Sequence, residues 1–163
     1  MAEALAKISQ IHDLGMIQIR ADLARAGDAI AGAAGLAIPG AGSTVGDGSR
    51  LLGWMSPDEL LLVLPRAELA EALAALTEAL STKHALVLDV SDMRATFRIQ
   101  GPKALQVLTK LCPTDLAAMP VGDLRRTRAA QVACAIWRGP QGYVLTGVRS
   151  VSDYLSGILN GAA

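Results

Sequence analysis

Leu51-Leu52-Gly53-Trp54-Met55-Ser56-Pro57-Asp58-Glu59-Leu60-Leu61-Leu62-Val63-Leu64 is the stretch from which the architecture can be read. Two apolar runs, Leu51 to Met55 and Leu60 to Leu64, flank Ser56-Pro57-Asp58, whose residues favour a tight turn, so the stretch predicts two adjacent strands. A helix follows them: Leu69, Leu73, Leu76 and Leu80 fall on one stripe, and Glu68, Glu71 and Glu78 fall off it. The same features return later. Trp54-x-x-Pro57 recurs as Trp137-x-x-Pro140, an offset of 83 residues, and the helix opening near Ala67 has a counterpart opening at Ser150, again offset by 83.

Working outward from this stretch, Met16 to Arg20 alternates as a strand does, and Asp22 opens a helix with Leu23, Ala26 and Ile30 on one face. Residues 32–49 are Gly-rich and predict a long irregular loop. Beyond the leucine-striped helix, Ala85 to Val90 predicts a buried strand. Ala95, Phe97 and Ile99 then alternate with Thr96, Arg98 and Gln100, the pattern of a strand with one wet face. Gly101-Pro102 starts a helix with Leu105, Leu108 and Leu111 inward, closed by Pro113. Arg126 to Trp137 predicts one long strand, turned at Gly139-Pro140-Gln141-Gly142 into Tyr143 to Val148. Ser150 is the expected cap of a last helix, with Tyr154, Leu155 and Ile158 inward. The order β-α-β-β-α-β then β-α-β-β-α predicts an α+β fold of two tandem split β-α-β, ferredoxin-like halves. We expect a single compact domain over 1–163, built of pseudo-repeats at about 14–92 and 93–160.

The chain is 52% hydrophobic and 18% charged, and its mean hydropathy is +0.37. Fifteen basic residues balance fifteen acidic ones, so the whole molecule has no net field to draw in nucleic acid or an anionic membrane. High apolarity without net charge favours a surface covered by a partner. Residues 1–10 lack the basic flank and apolar run of a signal peptide, and glycines and Pro39 interrupt the longest uncharged run, so a cytoplasmic location is expected. Cys112 and Cys134 form no C-x-x-C pair and read as reduced core thiols.

Few residues offer chemistry. Gly40-Ala41-Gly42-Ser43-Thr44-Val45-Gly46 has the composition of a phosphate loop, but no helix opens after it to supply amide donors. His12 and His84 stand apart, without the carboxylate and nucleophile a catalytic base requires or the ligands a zinc site requires. Asp89, Ser91, Asp92 and Asp115 sit at element ends, where carboxylates fix turns more often than they transfer protons. Arg125, Arg126 and Arg128 cluster at a strand start without interleaved aromatics. That pattern suits a solvated face or a patch meeting an acidic partner, not a single-strand nucleic-acid platform. No catalytic, cofactor-binding or metal-binding residue is assigned.

Asp89-Val90-Ser91 followed by Ile99-Gln100-Gly101-Pro102-Lys103-Ala104 resembles the D-x-S … [IV]-x-G-P-x-A signature of the aminomethyltransferase (glycine-cleavage T-protein) folate-binding fold. Within that superfamily the chain resembles the gamma subunits of heterotetrameric sarcosine oxidases. The resemblance is carried by Trp54 to Glu59, Leu111 to Leu116, Arg126-Thr127-Arg128 leading to Trp137-Arg138, and Val148-Arg149-Ser150. These matches run in order from about Leu14 to Leu159, nearly the whole chain.

The resemblance implies a fold similar to part of the folate-binding domain. It also implies a non-catalytic role beside alpha, beta and delta subunits, which would hold FAD, FMN, NAD, tetrahydrofolate and zinc between them. Such complexes oxidatively demethylate sarcosine to glycine, hydrogen peroxide, and formaldehyde or its tetrahydrofolate adduct. No N-A-x-N segment occurs here, so no folate site is carried over. The alternatives are a free-standing folate-binding one-carbon protein, marked by folate binding to the isolated chain, and a small-molecule regulatory domain suggested by fold analogy.

Overall fold

The computed structural model describes residues 6–163. In chain order the elements are β1 (Lys7–Ile11), β2 (Leu14–Ala21), α1 (Leu23–Ala34), β3 (Thr44–Gly46), β4 (Leu51–Ser56), β5 (Glu59–Pro65) and α2 (Leu69–Ala79). There follow β6 (Ala85–Asp89), β7 (Arg94–Gln100), α3 (Ala104–Thr109), β8 (Leu124–Ala129), β9 (Val132–Gly139), β10 (Gly142–Val148) and α4 (Ser152–Ala162). The chain divides into two compact units: the first is Asp13–Ser91, the second is Met1–His12 with Asp92–Ala163.

The first unit is a five-stranded antiparallel sheet in the order β3-β4-β5-β2-β6. Asp22 caps α1, its carboxylate accepting from the Ala24 N–H at 3.0 Å. Helices α1 and α2 cover one sheet face, placing Ala26, Ile30, Leu69, Ala72 and Leu76 against Ile17, Ile19, Leu60, Leu62 and Leu64. The central strand β5 is buried along nearly its whole length, which is why Leu60 to Leu64 reads as an unbroken apolar run.

The second unit is a five-stranded antiparallel sheet in the order β1-β7-β10-β9-β8. Its helices α3 and α4 place Val107, Leu108, Leu155 and Leu159 against Phe97, Ile99, Ile136 and Leu145. The two sheets share one layout. A split β-α-β unit has the strand order 4-1-3-2, and both sheets follow it with one further strand beside the second. In the first unit the fourth strand is β6, which follows α2. In the second unit that place is taken by β1, from the start of the chain. The 83-residue offset holds at two pairs of elements: β5 maps onto β10, both seven residues long, and α2 onto α4, both eleven.

Several expectations are corrected. The long strand from Arg126 to Trp137 is a hairpin, β8 and β9, turned at Ala130 with φ +50°. No Gly or Asn marks that turn; the left-handed Ala130 is held instead by its N–H, which donates to the Leu111 carbonyl. The strand over Ala85 to Val90 is not buried, because β6 lies at a sheet edge and leaves Leu86 and Leu88 47% and 44% exposed. Thr96, expected on a wet face, is buried in a central strand and bonds Thr146 across the β7–β10 pair. Helix α1 extends to Ala34 and β3 forms at Thr44–Gly46, so the irregular stretch is shorter than residues 32–49. Ser150 does not cap α4; it lies in a 3₁₀ turn (Arg149–Val151), and the helix begins at Ser152. Tyr154 is exposed, while Leu155 and Leu159 turn inward.

Candidate functional site

The residues of the D-x-S element form a closed hydrogen-bond set where β6 ends. Asp89 Oδ1 accepts from the Ser91 hydroxyl at 2.6 Å and from the Ser91 N–H at 2.9 Å. The Ser91 oxygen accepts in turn from the Met16 N–H at 2.9 Å, and the Val90 N–H donates to the Met16 carbonyl. Ser91 is buried and Asp89 exposed. The Ser91 hydroxyl and N–H are both used in fixing the turn, and nothing in this geometry raises the hydroxyl to a nucleophile.

The G-P-x-A element lies in the second unit. Gly101 has φ +117°, a conformation few side chains tolerate, and its carbonyl accepts from the Ala104 N–H, so Pro102 stands in the turn just before α3. Across the sheet, Pro140-Gln141 turns β9 into β10. Gly142 has φ +138°, and a Cβ there would lie 2.3 Å from the Ile99 carbonyl oxygen. The two turns border an open depression of about 440 Å³, walled also by Leu105, Val121, Arg138 and Tyr143. The Arg138 guanidinium donates to the Met119 carbonyl and lies 5.7 Å from the Tyr143 ring centroid. It is thereby pinned by the fold, and among the described residues no second charged group lines the depression.

The tryptophans sit in corresponding strands but on different faces, Trp54 toward the helices of its unit and Trp137 away from the core that holds Cys134 and Ile136. Trp54 in β4 pairs with Leu60 and packs partly buried on the first core, with Pro57 in the turn just beyond. Trp137 in β9 is buried and pairs with Val144 in β10, with Pro140 just beyond. Arg149 makes an exposed 3.5 Å ion pair with Asp92, and Ser150 is exposed beside it. The structure therefore brings Asp89 with Ser91, and Gly101 with Pro102 and Pro140, into two turn sites.

The remaining candidates are dispersed. His12 and His84 are both exposed. Asp115 accepts from the Ala117 and Ala118 N–H groups, fixing the loop after α3. Burial pushes the Cys112 thiol up to about 11; burial, with the neighbouring Cys112, pushes the Cys134 thiol up to about 12. Both thiols stay protonated and weakly nucleophilic at neutral pH. Among the described residues no three His, Cys, Asp or Glu side chains come together as a metal site. No described helix is long and apolar enough to cross a membrane. The strand β1 and the Arg138–Tyr143 contact escaped the sequence reading. Alternation at Lys7 to Ile11 is too short to mark a strand, and a contact across a strand pair leaves no local signature.

Residues 38–144 match the family model described as the GCVT N-terminal domain. Fold and match together define a protein of this class. A solved aminomethyltransferase T of the glycine cleavage system from Bartonella henselae superposes with a TM-score of 0.75 at 16% identity, over 96% of this chain and 45% of that one, a likeness of fold.

The chain belongs, within this class, to the sarcosine oxidase subunit gamma family. It is 33% identical over 153 residues to the gamma subunit from Arthrobacter sp., covering 85% of this chain and 73% of that one. It is 37% identical over 115 residues to the gamma subunit from Corynebacterium sp. (strain U-96), covering 68% of this chain and 55% of that one. The chain thus spans about half the length of the two Corynebacterium gamma subunits it matches. It superposes on a chain of the heterotetrameric sarcosine oxidase from Corynebacterium sp. U-96, in complex with pyrrole 2-carboxylate, with a TM-score of 0.91 and 28% identity. That superposition covers 99% of this chain and 85% of the other.

Proposed function

We propose that this chain is a non-catalytic gamma subunit of a heterotetrameric sarcosine oxidase, acting in the cytoplasm. The observation that carries the reading is its near-complete superposition on a chain of such an enzyme. In this reading the partners are alpha, beta and delta subunits, and FAD, FMN, NAD, tetrahydrofolate and zinc are held by them. The reaction is oxidative demethylation of sarcosine to glycine, with hydrogen peroxide and formaldehyde or its tetrahydrofolate adduct as the other products.

The geometry suits a structural role. Asp89 and Ser91, and Gly101 with Pro102, Pro57 and Pro140, fix turns through backbone bonds and conformation. Such residues hold a surface in shape without contributing a reactive group. The two units are, in this reading, pseudo-repeats of one ancestral unit, supported by the constant 83-residue offset from β5 to β10 and from α2 to α4.

The test is co-expression of the affinity-tagged chain with alpha, beta and delta subunits from the same organism. Capture of all three with sarcosine-dependent peroxide formation supports the reading, provided the chain alone is colourless and inactive. A flavin band or peroxide formation from the isolated chain would contradict it. Stoichiometric tetrahydrofolate binding by the isolated chain would favour a folate-binding one-carbon protein instead.

A further inference from the structure

The neutral total charge conceals a division between the two units. The first unit, Asp13–Ser91, carries five Lys and Arg against ten Asp and Glu, a net of −5. The second, Met1–His12 with Asp92–Ala163, carries ten against five, a net of +5. Seven of those ten cations are arginines, the cation enriched at protein interfaces, where lysine is depleted. Six of the seven lie on β7, β8 and the end of β9, and the faces they take follow from strand alternation.

Ala129 joins the core beneath α3 and α4, which turns Arg126 and Arg128 to the opposite face of the sheet, where both are exposed. On β9, Cys134 and Ile136 join that core, so Ala133 and Ala135, the partners of Arg128 and Arg126, share the arginine face. On β7 the same alternation puts Arg94 and Arg98 there, with Val148, 46% exposed, paired to Arg94 from β10. Thr96, Ala135 and Thr146 on the same face are buried, so what it leaves exposed is a margin bearing Arg126 and Arg128 beside Ala133 and Val148. It ends at β8, an edge strand whose outer side pairs with no other described strand. An edge strand bearing charge is protected from indiscriminate strand pairing yet presents a specific surface to a complementary partner.

We propose that this arginine margin, centred on Arg126 and Arg128, is where the chain docks on an acidic protein surface of its assembly, an inference that rests on the subunit reading above. The charge on this face selects an acidic occupant. Apolar Ala133 and Val148 supply contact area that charge alone does not.

The experiment compares the tagged wild-type chain with R126Q/R128Q, R126E/R128E and the control E71K/E78K on α2, each co-expressed with the alpha, beta and delta subunits. Both arginines are exposed, so circular dichroism melts of all variants should match the wild type within a few degrees. Association is then measured from about 50 to 500 mM NaCl, a range over which exposed charge pairs are progressively screened. The expected result is weakening graded from Gln to Glu, about tenfold or more for R126E/R128E at low salt, with a flattened salt dependence and the control bound like wild type. If the wild type captures the subunits and R126E/R128E captures them equally well, the docking surface is wrong and the subunit reading stands. If the wild type captures none, both fall. Displacement of the subunits by a 20-nucleotide single-stranded DNA would show that the arginines serve nucleic acid, and would also overturn the proposal.

Discussion

Thr96 and Thr146 face each other across the β7–β10 pair with their hydroxyl oxygens 3.0 Å apart, and both are buried. Thr146 can also donate to the Ala95 carbonyl at 3.4 Å, whereas Thr96 has only Thr146 in this bond set. The two substitutions are therefore unequal. Thr96→Val leaves Thr146 its carbonyl acceptor and should cost about 1 kcal/mol. Thr146→Val leaves the Thr96 hydroxyl buried without this partner and should cost about 2 kcal/mol, within the roughly 1–3 kcal/mol range for an orphaned buried group. Replacing both removes the unmatched polar groups together, so the double variant should lie near the wild type. The implied coupling is about 3 kcal/mol in magnitude, the sum of the two single costs. The assay is equilibrium urea unfolding in a Trp54→Phe background, where Trp137 reports on the second unit alone. Two single variants each within about 0.5 kcal/mol of the parent, with no coupling, would refute the buried pair and restore an exposed Thr96 face.

Other outcomes follow from the same packing and backbone geometry. Phe97 is fully buried beneath α3 and α4, so Phe97→Ala should cost about 3–5 kcal/mol in the same unfolding assay, and a loss below about 1 kcal/mol would mean the core is misplaced. Gly142→Ala drives a methyl into the Ile99 carbonyl at a backbone angle L residues avoid, and should lower the melting temperature sharply. Gly157→Ala, in α4 with open space around it, should instead stabilise by about 0.5–1 kcal/mol; equal effects of the two changes would contradict the backbone geometry. The thiols at Cys112 and Cys134 have native values raised from 9.0 to about 11 and about 12. Above pH 9 the unfolded chain loses those protons while the folded chain keeps them, so this contribution to stability is whole below pH 9 and declines as pH rises toward 11–12. A Cys112→Ala/Cys134→Ala double variant should show a shallower alkaline decline, and an identical slope would remove the thiols as its cause.

The sequence was most legible where burial and period agree. Leu69, Leu73, Leu76 and Leu80 mark α2 because one face must be apolar, and Asp22 marks the start of α1 because a carboxylate can satisfy an orphan amide. It was least legible where strand position decides exposure. Leu86 and Leu88 read as core, but β6 is an edge, while Thr96 reads as surface and lies in a central strand. Neither fact is local: both depend on which strands become neighbours, and β1 reaches its place from the far end of the chain. The hairpin at Ala130 was missed because its left-handed residue is alanine, held by a distant carbonyl. The motif residues were found by resemblance, and the structure shows what the pattern could not, that Asp89 and Ser91 spend their bonds on each other and on Met16. The charge division had been present in the composition throughout. It became visible only once the units had boundaries to count within.

Native mass spectrometry of the co-expressed assembly tests the central claim most directly. Membership in a heterotetramer predicts one species containing this chain and the alpha, beta and delta subunits in equal copy number, from which this chain dissociates intact as salt is raised. An assembly of the other three subunits without this chain, while the chain itself appears as a separate monomer, would contradict it.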